Sequence, residues 1–183
     1  MKKEDRAKEV CKGCELSEGN GDPPGSIIVK LDGGWILNHY GGPEGFLGWL
    51  ALQPKRHLME LAQLNEEETS HLGRNIQRVD MALRHYWAVH FPNDQLERVY
   101  SVYFFESVYD EPPTKYHLHL HLIPRTRKMV GKKHPSDIAA WKIRELVKSR
   151  GFPKGYQTKD RGNDMYEEEV VALMTCLKLH LDP

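Results

Sequence analysis

The chain has 183 residues, enough for one domain with a proper buried core. Its 26 basic and 26 acidic residues cancel, so no global charge argues for a nucleic-acid polymer, a membrane surface or an acidic partner. No stretch reads as a transmembrane span, the polar start MKKEDRAKEV is not a secretory signal, and three cysteines do not make a disulfide framework.

Two of those cysteines, Cys11 and Cys14, form the pair C-K-G-C. An odd count with a CxxC pair points to metal or redox use in a reducing compartment, and a cytoplasmic location is expected. ELSEGNGDPPG at 15–25 is turn chemistry and predicts a loop. SIIVKL at 26–31 and WILNHY at 35–40 predict two strands joined at Asp32-Gly33-Gly34. GGPEG at 41–45 breaks the pattern, and FLGWLALQ at 46–53 predicts a third strand before Pro54. Asn65 and Glu68 have the spacing of a capping box. Beyond them Leu72, Ile76, Val79, Leu83, Tyr86 and Trp87 keep helical spacing, so 66 to about 90 reads as one long amphipathic helix. VYSVYFFESV at 99–108 predicts a strand, DEPPT at 110–114 a short turn, and the segment after it the returning strand of a hairpin.

The expected fold is therefore α+β: about five mostly antiparallel strands, with one long helix between the third and the fourth. After Arg125 the character changes. RTRKMVGKKH at 125–134 is a basic run that reads as a solvated loop, with a phosphate-rich ligand as the other use. SDIAAWKIRELVKSRG predicts a helix ending at Gly151, and NDMYEEEVVALMTCLKLHL a second, started by Asn163 or Asp164. Val170, Leu173, Met174 and Leu177 share one face of the second and should pack on the body. The expected division is a domain over 1–127 and a packed helical extension over 128–183.

The returning strand is KYHLHLHLIPR, residues 115–125. Period two puts Tyr116, Leu118, Leu120 and Leu122 on one face and His117, His119 and His121 on the other. Pro124, which has no N–H for a ladder, is expected to end it. Two chemistries suit such a row. Its imidazoles could bind a catalytic zinc with an open position for water. Alternatively, one neutral imidazole could attack phosphorus while its neighbours bind the phosphate oxygens. Spacing alone does not choose. A row that held zinc by itself would leave C-K-G-C without a purpose, whereas a mixed Cys/His structural site would use it.

His117-Leu118-His119-Leu120-His121-Leu122-Ile123 resembles, at every position, the histidine triad pattern His-Φ-His-Φ-His-Φ-Φ, where Φ is apolar. The N-terminal CxxC and LALQPKRH at 50–57, which is similar to the superfamily's P-K-x-H segment, occur in the matching order. The resemblance covers about residues 10–127. It implies an α+β fold whose protomers commonly pair as homodimers, and hydrolysis or nucleotidyl transfer at the α-phosphate of a nucleotide substrate. It implies His119 as the nucleophile, forming a nucleotidyl-histidine intermediate, with His121 on the phosphate and Thr114 on the phosphate or leaving group. In zinc-bearing members the matching positions are Cys11, Cys14, His57 and His117, a closed structural set. The chain departs from the pattern at three places. Trp49 stands where a further histidine is common, Asn38 where a ribose-binding acidic residue is usual, and Asp110-Glu111-Pro112-Pro113-Thr114, with Glu106 upstream, replaces a Gly-Gln-Ser/Thr loop. Two other functions stay open: a zinc hydrolase built on the row, and a nucleotide-binding module without turnover.

Overall fold

The structure, a computed structural model, describes residues 11–41, 46–103, 116–126 and 163–181, with side chains in the last segment from 167. Five strands form one antiparallel sheet: β1 (Ile28–Leu31), β2 (Trp35–His39), β3 (Leu50–Pro54), β4 (Leu96–Tyr103) and β5 (Leu120–Thr126). Their spatial order is β1-β2-β3-β5-β4. Three α-helices accompany the sheet among the described residues: α1 (Lys12–Glu18), α2 (Glu66–His90) and α3 (Asn163–Leu181). The expected α+β architecture, with its long helix and C-terminal helix, is what the chain adopts.

Local chemistry accounts for the elements. The β1–β2 connection turns at Asp32–Gly34, where Gly33 and Gly34 have φ of 68° and 73°. These are left-handed values that glycine adopts without a Cβ penalty. Asn65 and Glu68 form the capping box: the Glu68 N–H donates to Asn65 Oδ1 and the Asn65 N–H to Glu68 Oε2, each at 2.8 Å. The apolar stripe of α2 then delivers Val79, Leu83, Tyr86 and Trp87 to a core shared with Leu37, Leu50, Leu52, Leu120 and Leu122 of the sheet. Val170, Leu173, Met174 and Leu177 of α3 are fully buried in that same core. Every residue of β2 and β3 is buried, so these central strands are covered on both faces.

Several expectations need correction. The segment Phe46–Trp49 is a turn, not the start of β3. Gly48 has φ of 84°, and the Trp49 N–H donates to Phe46 O at 3.0 Å. The close approach of the Trp87 ring, 2.6 Å from where a Gly48 Cβ would sit, requires that glycine. The expected loop over 15–25 begins late, because residues 15–18 belong to α1; the helix stops at Gly19 (φ 79°), whose N–H donates back into the last turn. Its seven residues carry no apolar periodicity, which is why the sequence pattern missed it. Pro124 does not end its strand. β5 runs on to Thr126 because pairing with β3 already stops at Leu50↔Leu122, and from there β5 pairs with β4 alone. Position 124 is therefore a local sheet edge, where proline is tolerated. The histidine row itself begins ahead of the regular strand, which starts at Leu120. β4 starts earlier than expected, at Leu96. The continuation over 104–108, the turn at 110–114, the basic run from 127 and the helix over 136–151 lie outside the described residues.

Candidate metal centre and histidine row

Three remote pieces of chain meet where β3 ends. α1 brings Cys11 and Cys14, the segment after Pro54 brings His57, and the approach to β5 brings His117. One donor atom from each of the four lies within 4.8 Å of the others, and among the described residues they make the single such group of three or more. Nδ1 of His117 is 3.5 Å from Cys11 Sγ and 3.7 Å from Cys14 Sγ, while Nδ1 of His57 is 3.2 Å from Cys14 Sγ. A tetrahedral zinc with Cys and His ligands sets neighbouring donors about 3.3–3.8 Å apart, so the donor set fits this metal. The tautomer also fits. The Nε2–H of His117 donates to Pro54 O at 2.8 Å, which leaves the Nδ1 lone pair turned to the sulfurs. Burial holds His117 below the usual histidine range, aided by its neighbours His57 and His119 and opposed by the Pro54 bond. Burial, then the Cys11 thiol, push the Cys14 thiol up to about 11. A bound cation would have to displace that proton.

Two residues that the sequence did not single out build the support. Gly13, between the cysteines, packs directly on the His117 ring: a Cβ there would sit 2.3 Å from Cγ. Gln53, buried in β3, donates from Nε2 to Gly13 O at 2.7 Å and fastens α1 to the sheet. On the other side, Arg56 Nε and Nη2 grip the Glu68 carboxylate at 3.1 and 2.8 Å, and the Leu118 N–H donates to Leu58 O at 2.7 Å. The exposed His57 is thus held between fixed neighbours.

The rest of the row is joined end to end by hydrogen bonds. His119 Nδ1 is 2.8 Å from His117 O, and a carbonyl can only accept, so Nδ1 carries the proton. The Trp49 indole N–H donates to His121 Nδ1 at 2.8 Å, so that nitrogen is bare and the proton of neutral His121 is on Nε2. His121 Nε2 then donates to His119 Nε2 at 3.1 Å. His119 thereby presents an unprotonated Nε2, and burial lowers its proton affinity against the opposing His117 bond. It is half-buried, whereas His117 and His121 are each 5 % exposed. Asn38 lies in the cross-sheet row Asn38↔Ala51↔His121, on the His121 face. Its Nδ2 donates to His39 O at 2.9 Å, and its buried Oδ1 has no partner among the described residues. Thr114 lies outside the described residues. His39, which no sequence pattern singled out, is fully buried. It donates from Nδ1 to Tyr40 O at 3.1 Å and accepts the Gly48 N–H at Nε2 at 3.3 Å, pinning the turn that carries Trp49.

No protein-family model matches the chain, and no curated protein matches it. Solved structures do. A Zn-bound histidine triad family protein from Mycobacterium smegmatis aligns over 94 % of this chain and 99 % of its own, at TM-score 0.54 and 16 % identity. HIT family proteins from Bacillus anthracis and Bacillus subtilis each align over 77 % of this chain and 94 % of theirs, at TM-score 0.48 and 17 % and 16 % identity. The chain has the histidine triad fold.

Proposed function

We propose that the protein is a histidine triad hydrolase or nucleotidyltransferase that acts at the α-phosphate of a nucleotide substrate, with His119 as nucleophile. One observation carries this reading: His119 has its proton tied down at Nδ1 and an unprotonated, neutral Nε2 at the centre of the row. An imidazole so disposed is a competent nucleophile near neutral pH. Its Nε2 forms the bond to phosphorus as the bond to the leaving group breaks, giving a nucleotidyl-histidine; water or another acceptor then takes the nucleotidyl group. The Nε2–H of His121, released from His119 when substrate enters, is the donor for a phosphate oxygen. Asn38, on the same face, offers to the nucleotide its Oδ1, which has no partner among the described residues, and Thr114 is assigned to the phosphate or leaving group.

Cys11, Cys14, His57 and His117 are assigned to a structural zinc. Four protein ligands complete a tetrahedron and leave no position for a reactive water, so the ion's contribution is to fix the start of the row. The competing use of the row as a catalytic metal site is disfavoured by its own hydrogen bonds, since only His117 turns a lone pair toward the other donors. The protein is expected to work in the cytoplasm on nucleotides rather than on nucleic-acid polymers or membranes; no helix among the described residues is long and apolar enough to cross a bilayer. It is expected to act as a homodimer formed through the long helix and an edge strand, which sedimentation at tens of micromolar would test.

The decisive experiment is alkali-quenched mass spectrometry of the protein mixed with nucleotide substrates, since a nucleotidyl-histidine P–N bond survives base and not acid. The wild type should gain the mass of one nucleotidyl group, and His119→Ala should gain none and lose turnover while keeping its fold and nucleotide affinity. A variant that kept most of its activity would rule out the histidine nucleophile. Binding without turnover in the wild type would instead make the protein a nucleotide-binding module.

A further inference from the structure

Trp49 occupies the far end of the row. Its ring is 3 % exposed, stacked on Tyr40 at 4.8 Å and set edge-on to Phe46 at 5.4 Å. Its backbone is fixed by the Phe46–Trp49 turn that His39 pins from below. An indole N–H donates and cannot accept. The bond from Trp49 Nε1 to His121 Nδ1 at 2.8 Å is therefore one-way, from an immobile donor.

The geometry points to Trp49 as a positioning residue that holds His121 as a fixed, neutral N–H donor and so restricts the site to substrates whose leaving group departs without a proton: phosphoanhydrides rather than phosphoramidates. The inference rests on the nucleotidyl-transfer reading. To act as a general acid, His121 would have to carry protons on both nitrogens. The second proton, on Nδ1, would face the indole N–H across 2.8 Å, two donors with no acceptor between them. Giving up the Nε2 proton from the neutral ring would leave an imidazolate. His121 thus keeps its proton and only donates a hydrogen bond.

The consequence for the reaction follows from its balance. His119 Nε2 supplies an electron pair to phosphorus, and the bond from phosphorus to the bridging oxygen breaks. The pair leaves with that oxygen as a phosphate anion, which the His121 Nε2–H stabilises without transferring its proton. A phosphate needs nothing more. An amine leaving from a phosphoramidate must receive a proton on nitrogen before the P–N bond can break, and the row has none to give. A histidine at position 49 can accept as well as donate, and would let the Nδ1 of His121 take up a proton.

The test has two arms. In ¹⁵N spectra of histidine-labelled protein, wild-type His121 should show a bare Nδ1 and a protonated Nε2, and Trp49→Phe should show both tautomers. Against a dinucleoside polyphosphate and a nucleoside phosphoramidate, the wild type should favour the anhydride by on the order of a hundredfold, the usual worth of a general acid. Trp49→His should narrow that ratio. A wild type that prefers the phosphoramidate, that carries a proton on Nδ1 of His121, or whose single tautomer survives in Trp49→Phe overturns the proposal; the wild-type spectrum decides even if the variants fail to fold. Absence of turnover on both substrates with the expected spectrum would overturn the nucleotidyl-transfer reading and leave the hold of Trp49 on His121 standing.

Discussion

Acidification should destabilise the protein through His39, a residue outside the histidine row. The ring has no exposure, and burial lowers its pKa from 6.5 to about 4 against the pull of the Tyr40 and Phe46 backbone. In the unfolded chain it titrates as an ordinary histidine. Between those two values the unfolded state binds the extra proton and the folded state does not, so stability rises with pH across that window. It is complete above 6.5 and falls by about 1.4 kcal/mol for each unit of acidification, with about 3 kcal/mol lost by pH 4. That is a large share of a typical folding free energy. The assay is urea unfolding at half-unit pH steps from 7 to 4, run on wild type and His39→Gln with chelator present throughout, so that metal release does not enter the comparison. The introduced amide can imitate both hydrogen bonds but cannot titrate. The variant should lose stability less steeply below pH 6.5 than the wild type. Equal slopes in the two proteins would refute the assignment of the acid sensitivity to His39.

Gly13→Ala should weaken zinc binding by about tenfold or more, because the added Cβ drives into the His117 ring; competition against a chromogenic chelator measures it, and unchanged affinity would mean the glycine is incidental. Adding zinc to the metal-free protein in weak buffer should release protons, the Cys14 thiol among the sources, and Cys14→Ser should bind less metal by elemental analysis. Removing the metal should loosen residues 11–25 in hydrogen exchange before the core opens; simultaneous loss of both would contradict a local role. Leu173→Ala should cost about 2–5 kcal/mol in denaturant unfolding, since the side chain is fully buried between α3 and the sheet, and a value under about 1 kcal/mol would show that α3 is dispensable to the core.

The sequence was legible where one period or one motif dominates a segment. The stripe from Leu72 to Trp87 and the Asn65–Glu68 box identify α2, and the same reasoning finds α3 from Val170, Leu173, Met174 and Leu177. The four candidate ligand positions were legible through the family resemblance, and their side chains do converge. What was not legible depends on partners distant in the chain. Nothing local distinguishes Gln53 from any polar residue at a strand end; its meaning comes from Gly13, 40 positions away. His39 sits in an apolar strand, and only the returning turn at Gly48 gives it work. Trp49 was visible as a departure, but its role depends on the direction of one N–H bond. Pro124 was misjudged because a strand's neighbours, rather than its own composition, decide where an edge lies.

The donors of the metal centre are also a statement about folding order. Cys14 and His57 are separated by 43 positions, and Cys11 and His117 by 106. The central strands β3 and β5 are likewise distant in sequence, so the sheet cannot close by local contacts. Bringing such segments together costs loop-closure entropy before any packing repays it, and chains built this way fold slowly. During that interval the Cys11–Cys14 pair is the only part of the donor set already close at hand. A cation caught there early is held by two thiolates alone, and the imidazoles arrive only as the sheet assembles. Capture of the ion should therefore have a fast, weak phase and a slow, tight one whose rate is that of folding, and the second phase should vanish when the ion is added to protein already folded.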